Sequence, residues 1–322
     1  MKLPEKMYQL AIFFCISFIS LVEAKTLYID LNHTEKEIAI FKGDAASEGD
    51  FILLPKPERS DYFLDQGKKI ALLKDRLERL QEIQIKKFGC RDTGQYRGPH
   101  KVLNCLAANP NYTSVSGEIA EIDRDLDKLN RYHARDLRED LLEVWRQMKD
   151  LPTDQQIDRL VISGHQDKTD FYGDMAWMSD AELTATLESF SGSLLKNVKS
   201  VFLLGCKTIQ EDLVLKYWGK AFPNVFQFAG YEQTGYLSDS AQGNRMLKEL
   251  VQKQRIHFSA ALSGDEKAKQ ALLSDDPRSA ASFVVQRDQD TQYEFYRGKR
   301  QVRKFLRAQK QSEMSDSSSG AN

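Results

Sequence analysis

The sequence predicts an α/β fold, a sheet of mostly parallel strands flanked by helices and preceded by a helical N-terminal subdomain. Three observations predict it. The runs "RLVISG" (159–164), "KSVFLLG" (199–205) and "NVFQFAG" (224–230) are short and apolar, and each ends in glycine. Helix-like segments separate and follow them, and strand–helix alternation argues for parallel strands joined by crossovers. Ahead of them, residues 67–149 carry apolar side chains at 3- and 4-residue steps among many charges, the pattern of amphipathic helices.

Taken in order, the first 24 residues read as a signal peptide. Lys2 and Lys6 precede the apolar stretch "LAIFFCISFISLV", and "VEA" offers small residues for a cut after Ala24. The stretch is too short for a stable membrane anchor. The expectation is export, to a periplasm or the outside, with Cys15 removed along with the signal. "KTLYIDLNHTEKEIAIF" (25–41) has two short alternating runs and suggests a hairpin or an edge strand pair. From Gly67 to Phe88, Ile70, Leu73, Leu77 and Leu80 mark one helical face, and Gly89 stops it. A second helical stretch, from about Ser116 to Lys149, carries Ile119, Ile122, Leu126 and Leu129. It continues through Leu137, Leu141, Val144, Trp145 and Met148. The two stretches are expected to pack as an antiparallel pair, either as a plain helical subdomain or as a partner-binding coiled coil.

"LPTDQQ" (151–156) reads as a boundary, giving a region 25–152 and an α/β domain 153–305. Within that domain Ser179 or Asp180 caps the helix after the first strand, and Thr208 with Glu211 fits a capping box after the second. "SDSAQGNRMLKELVQKQ" follows the third strand as a helix. "ASFVVQR" and "TQYEFYRG" suggest a last strand pair, and the polar stretch 306–322 a disordered tail.

Composition excludes some classes. With 46 basic against 47 acidic residues the formal net charge is -1, without the basic excess of a nucleic-acid binder. Beyond the signal no stretch is apolar enough to span a membrane. The histidines at 33, 100, 133, 165 and 257 fall in no metal-ligand spacing, and no glycine-rich phosphate loop is present, so neither a metal nor another cofactor is expected.

Cysteine arithmetic singles out one residue. Cys90 and Cys105 flank a Gly- and Pro-containing loop and form the natural disulfide of an exported chain, worth about 3 kcal/mol in the chain-entropy model. Cys206 is left odd, either an inert core cysteine or a thiol with work to do. It directly follows the second strand, and His165 directly follows the first. Reactive groups in an open α/β sheet gather outside the carboxyl ends of the strands, so neighbouring strands would set these two side by side. A helix starting at Thr208 would aim its positive end at the thiol and favour the thiolate. The imidazole would take and return the proton, and Gly164 and Gly205 would admit a substrate backbone. The Cys206 N–H and one near Gln166 would form an oxyanion hole. The chain has no C-x-x-C for a redox role and no G-x-S-x-G for a serine hydrolase.

"RLVISGH" followed by "VFLLGC" resembles the clan of caspase-like cysteine peptidases, which includes caspases, legumains, gingipains, separases and bacterial CHAT domains. In that clan a strand leads to a catalytic His, usually followed by glycine, and the next strand leads to a small residue and the catalytic Cys. "FPNVFQFAGYEQTGYLSDS" also resembles the strand and substrate-side loop that follow, so the likeness covers about residues 155–255. The resemblance implies Cys206 as nucleophile, His165 as general acid/base, and a peptide or protein as substrate. Gln166 stands where the clan prefers glycine, and its side chain is expected to crowd the cleft. The resemblance further implies a pocket for the side chain before the scissile bond. Asp167, Asp170, Asp174, Glu232 and Asp239 are its candidate acids, with Lys168 the nearest base on those loops, a lean towards Lys or Arg. Trp177, Tyr231 and Tyr236 are candidate walls. The competing reading is an inactive caspase-like module that binds a partner. "NHT" at Asn32 and "NYT" at Asn111 are glycosylation sequons by pattern.

Overall fold

The computed structural model describes residues 25–45, 47–88, 110–126, 128–167, 169–210, 213–235, 240–275, 279–287 and 290–306. The expected signal peptide, Glu211, the Cys90–Cys105 pair and the tail beyond 306 lie outside these residues.

Strand β1 (Thr26–Asp30) leads into helix α1 (Glu35–Lys42), strand β2 (Phe51–Leu54) and the long helix α2 (Pro57–Phe88). Helices α3 (Pro110–Leu126) and α4 (Ala134–Met148) precede β3 (Arg159–Ser163). Three short strands follow, β4 (His165–Asp167), β5 (Asp170–Tyr172) and β6 (Trp177–Ser179), then α5 (Asp180–Glu188) and β7 (Ser200–Leu203). Strand β8 (Gln227–Tyr231), helices α6 (Ala241–Leu262) and α7 (Glu266–Leu272), and strands β9 (Ser279–Arg287), β10 (Asp290–Arg297) and β11 (Arg300–Leu306) complete the chain.

One sheet has the order β11-β10-β9-β8-β7-β3-β1-β2. The five strands from β8 to β2 are parallel, and β9, β10 and β11 join antiparallel. Every residue of β1, β3 and β7 is buried, because helices cover both faces. Leu27, Ile29, Leu160, Ile162, Val201 and Leu203 pack with Leu137, Leu141 and Val144 of α4 and Leu183 and Leu187 of α5. The alternate positions Tyr28, Val161, Phe202 and Ala229 pack with Phe41 of α1 and Leu247 and Val251 of α6. This is the period-2 arithmetic of a strand whose two faces both meet apolar partners. No helix among the described residues is long and apolar enough to cross a membrane.

Several expectations need correction. The first mature segment is no hairpin. Its first run is β1, an interior strand between β2 and β3, and its second is α1. The sheet therefore draws on both sides of the expected boundary at 152/153. The helical stretch from 116 to 149 breaks between Leu126 and Ala134, where Tyr132 bridges to Ala176. Helices α2 and α3 do run antiparallel, since Arg76 pairs with Glu118 while Tyr62, nearer the start of α2, meets Asn130 beyond the end of α3. The closing strand pair has a third member, β11, which reaches Leu306.

Candidate active site

Strands β3 and β7 are neighbours, and their ladder partners differ by 41 residues throughout, from Arg159↔Ser200 to Ile162↔Leu203. His165 and Cys206 stand at that same offset, just beyond the carboxyl ends of both strands. The backbone carries the register onward, as the Leu204 N–H donates to the Ile162 carbonyl at 2.9 Å. A side-chain carbon built on Gly205 would stand 3.1 Å from the Gly164 carbonyl oxygen. The residues preceding the imidazole and the thiol are thus in close contact. Cys206 is a free, half-buried cysteine.

The glycines serve packing rather than an open approach for substrate. On Gly164 a Cβ would come within 2.9 Å of the Phe171 ring. On Gly205 it would meet Thr208 at 3.0 Å and Phe171 at 3.1 Å. Phe171, fully buried on β5, wedges under both strand ends and needs both positions bare.

The helix expected at Thr208 begins later. Residues 206–209 form turns, and a π-type turn starts at Val214 and runs into Gly219–Ala221. Instead of capping, the Thr208 hydroxyl donates to the carbonyls of Leu203 (2.8 Å) and Gly205 (3.0 Å). The side chain thus folds the loop back onto β7, and Thr208 caps no helix beside the thiol. What holds the loop is the end of β8. The Lys207 N–H donates to the Gln233 carbonyl at 2.9 Å, and the Ile209 N–H to that of Tyr231 at 3.3 Å. Lys207 sits at φ +60°, a left-handed conformation costly to a residue with a side chain and one that clusters at functional sites. The Cys206 N–H has no hydrogen-bond partner among the described residues, which leaves it available to an oxyanion.

His165 opens the small antiparallel sheet β4-β5-β6, which the sequence did not announce. Its imidazole is exposed and tilts against Tyr172, with ring centroids 5.6 Å apart. No carboxylate orients the imidazole by a hydrogen bond among the described residues, so Tyr172 is its positioning neighbour. His165 and Cys206 thus follow adjacent strand ends, and among the described residues no third polar side chain is hydrogen-bonded to the imidazole. Gln166 corrects another expectation. Its side chain turns inward, buried, and donates to Asp180 Oδ2 at 2.8 Å, so it leaves the cleft uncrowded. Burial pushes the Asp180 carboxyl up to about 6, with the Gln166 hydrogen bond opposing and the Asp170 charge assisting.

The candidate pocket acids separate. Asp167 and Asp170 are register partners on the small sheet, close to His165. Asp174 lies in the turn between β5 and β6, where its carbonyl abuts Gly67 of α2. Glu232 is engaged elsewhere, accepting two hydrogen bonds from Arg297 of β10 at 2.8 and 2.7 Å, so its basic neighbour is Arg297. Tyr231 ends β8 with its ring against Gly235, and Trp177 is exposed on β6. Asp239, Tyr236 and Lys168 lie outside the described residues.

The structure adds a buried acid network that no motif signalled. Glu37 Oε2 on α1 accepts from Tyr28 (3.2 Å), Thr34 (3.0 Å) and Ser163 (2.6 Å). Ser163 ends β3, two residues before His165, so this network fixes the strand end that leads to the imidazole. Burial raises both Glu37 and the nearby Asp30, the latter against the backbone N–H groups of residues 32–34.

Comparison with known proteins gives no relative. No protein-family model, curated protein or solved structure matches the chain. The functional reading rests on the shared offset of His165 and Cys206 beyond two adjacent strands and on the motif resemblance.

Proposed function

We propose that this chain is an exported, caspase-like cysteine endopeptidase with Cys206 as nucleophile and His165 as general acid/base. The observation that carries the reading is that His165 and Cys206 keep the 41-residue offset of the β3–β7 register and follow the ends of these adjacent parallel strands. It matches the order of the clan, where a strand leads to His and the next strand leads to Cys. In the proposed reaction the imidazole takes the thiol proton and the thiolate attacks the peptide carbonyl. The tetrahedral oxyanion is held by the Cys206 N–H and an amide beside His165, at Gly164 or Gln166. Collapse breaks the C–N bond, the leaving amine takes its proton from the imidazolium, and a thioester remains on Cys206. Water, deprotonated by His165, then releases the acid.

One observation favours a second reading, a caspase-like module that binds a partner without cutting it. The Thr208 hydroxyl is spent on the Leu203 and Gly205 carbonyls, so the helix start expected at Thr208, one ordinary source of thiol activation, is missing there.

The alkylation rate of Cys206 against pH separates the two, measured in the chain lacking residues 1–24 and in its His165→Ala variant. A thiolate pKa well below the ordinary value of about 8.5, rising when the imidazole is removed, supports the peptidase. A slow thiol indifferent to His165 supports the binding module.

A further inference from the structure

The small sheet that carries His165 has one face in the core and one in solvent. Gln166, Phe171 and Met178 point inward, 6%, 0% and 1% exposed. On the outer face one row is His165, Tyr172 and Trp177, joined by the pairings His165↔Tyr172 and Tyr172↔Trp177. Simple alternation would place polar side chains here. Instead Tyr172 is 36% and Trp177 43% exposed, an aromatic strip running outward from the imidazole. Trp177 is fixed from behind. Its N–H donates to the Tyr132 carbonyl at 3.2 Å, and its carbonyl lies 2.9 Å from His133 Nδ1. The neighbouring row holds the register partners Asp167 and Asp170, and neither carboxylate is in an ion pair with a described residue.

We propose that this face seats the leaving-group half of a peptide substrate, and that it selects a lysine or arginine among the first three residues after the scissile bond. The inference rests on the peptidase reading. The direction follows from the chemistry, because the leaving nitrogen takes its proton from His165. The chain on the amine side therefore starts at that imidazole. The next groups on the same face are Tyr172 and Trp177, each one strand further at about 4.8 Å per strand. A cationic side chain lies favourably over a tyrosine or indole face, and the carboxylates of Asp167 and Asp170, which no described residue pairs, reward the same charge and repel an acidic one. The occupant is thus continuous with the reacting pair and complementary in charge to the face.

A peptide library serves as the probe. The chain lacking residues 1–24 and its Trp177→Ala variant are each incubated with a proteome-derived peptide library, and mass spectrometry maps the cuts. The quantity read is the enrichment of Lys and Arg over Asp and Glu at the three positions after the cut. As a ratio, it is insensitive to a general loss of activity. The expected result is an enrichment of about fivefold or more, at least halved in Trp177→Ala and also in an Asp167→Asn, Asp170→Asn double variant. Cutting without that enrichment, or with one that Trp177→Ala leaves intact, overturns the leaving-side seat and spares the peptidase. No cutting of any library peptide overturns the peptidase reading and this inference with it.

Discussion

Asp180 is the residue at which burial, hydrogen bonding and pH meet. It is the first residue of α5, Gln166 Nε2 donates to one carboxyl oxygen, and the other oxygen is buried without a partner. Gln166 Oε1 is likewise buried and unsatisfied. A proton on Asp180 gives the pair a donor it otherwise lacks, which agrees with a carboxyl pushed up to about 6 by burial. The folded state then binds this proton more tightly than the unfolded state, where the ordinary value is about 3.9. Its stabilising contribution is full below that value and is lost as pH rises through about 6. Asp158, also raised to about 6 by burial, acts in the same direction. The melting temperature should therefore fall between pH 4 and pH 7. Asp180→Asn, which cannot ionise and supplies a permanent N–H donor, should flatten part of that fall and leave the share due to Asp158, Glu37 and Asp30. A variant curve parallel to the wild type would remove Asp180 from the account. Gly164→Ala tests packing at the same scale. A Cβ 2.9 Å from the Phe171 ring and 3.1 Å from the Tyr172 carbonyl must displace the strand that bears His165. A loss of about 1–3 kcal/mol in denaturant unfolding is expected, as for other overpacked positions.

At the scale of elements, helix α4 shows why the apolar strands stay where they are. Its apolar positions Leu137, Leu141, Val144 and Met148 are buried against the sheet, while the Asp136 carboxylate, accepting from the His133 N–H at 3.0 Å, fixes its start. Leu141→Ala should cost about 2–5 kcal/mol in chemical denaturation, the range for truncating a fully buried leucine. The exposed Arg76–Glu118 pair between α2 and α3 is a different case, and Glu118→Gln should change stability by less than about 1 kcal/mol. The strands β3, β7 and β8 were legible because continuous apolar runs ending in glycine have few other readings. The α5 cap was legible too, since Ser179 and Glu182 form the reciprocal box. The start of the segment after Cys206 was not. Thr208 and Glu211 have the spacing of a capping box, yet a threonine hydroxyl can also donate to nearby carbonyls, and here the strand end takes it. The β4-β5-β6 sheet escaped notice because three-residue strands are too short to display a period.

For the molecule as a whole, the misread segment is the one that ties its two halves together. "TLYID" alternates weakly and lies far from the other sheet strands in sequence, so nothing local shows that it belongs between β2 and β3. Placed there, Leu27, Tyr28 and Ile29 are completely buried, each worth about 1.5–3 kcal/mol if the side chain is fully removed from water. β1 also satisfies one edge of β3 along five register pairs, and the Leu31 N–H extends the tie to the Ser163 carbonyl at 2.9 Å. Against a total stability of about 5–15 kcal/mol for a typical domain, losing these contacts is not survivable. The region from 153 onward is therefore expected not to fold on its own, although its composition reads as a separate unit. A fragment 153–322 should be expressed as aggregate, or remain without the cooperative unfolding transition of the longer chain, by circular dichroism and size-exclusion chromatography. It would also leave the backbone edge of β3 open, beside the His165 loop, as a template for pairing with other copies. A monomeric, cooperatively melting fragment would instead show that β1, β2 and the α2–α4 helices are an addition to the sheet rather than part of its foundation.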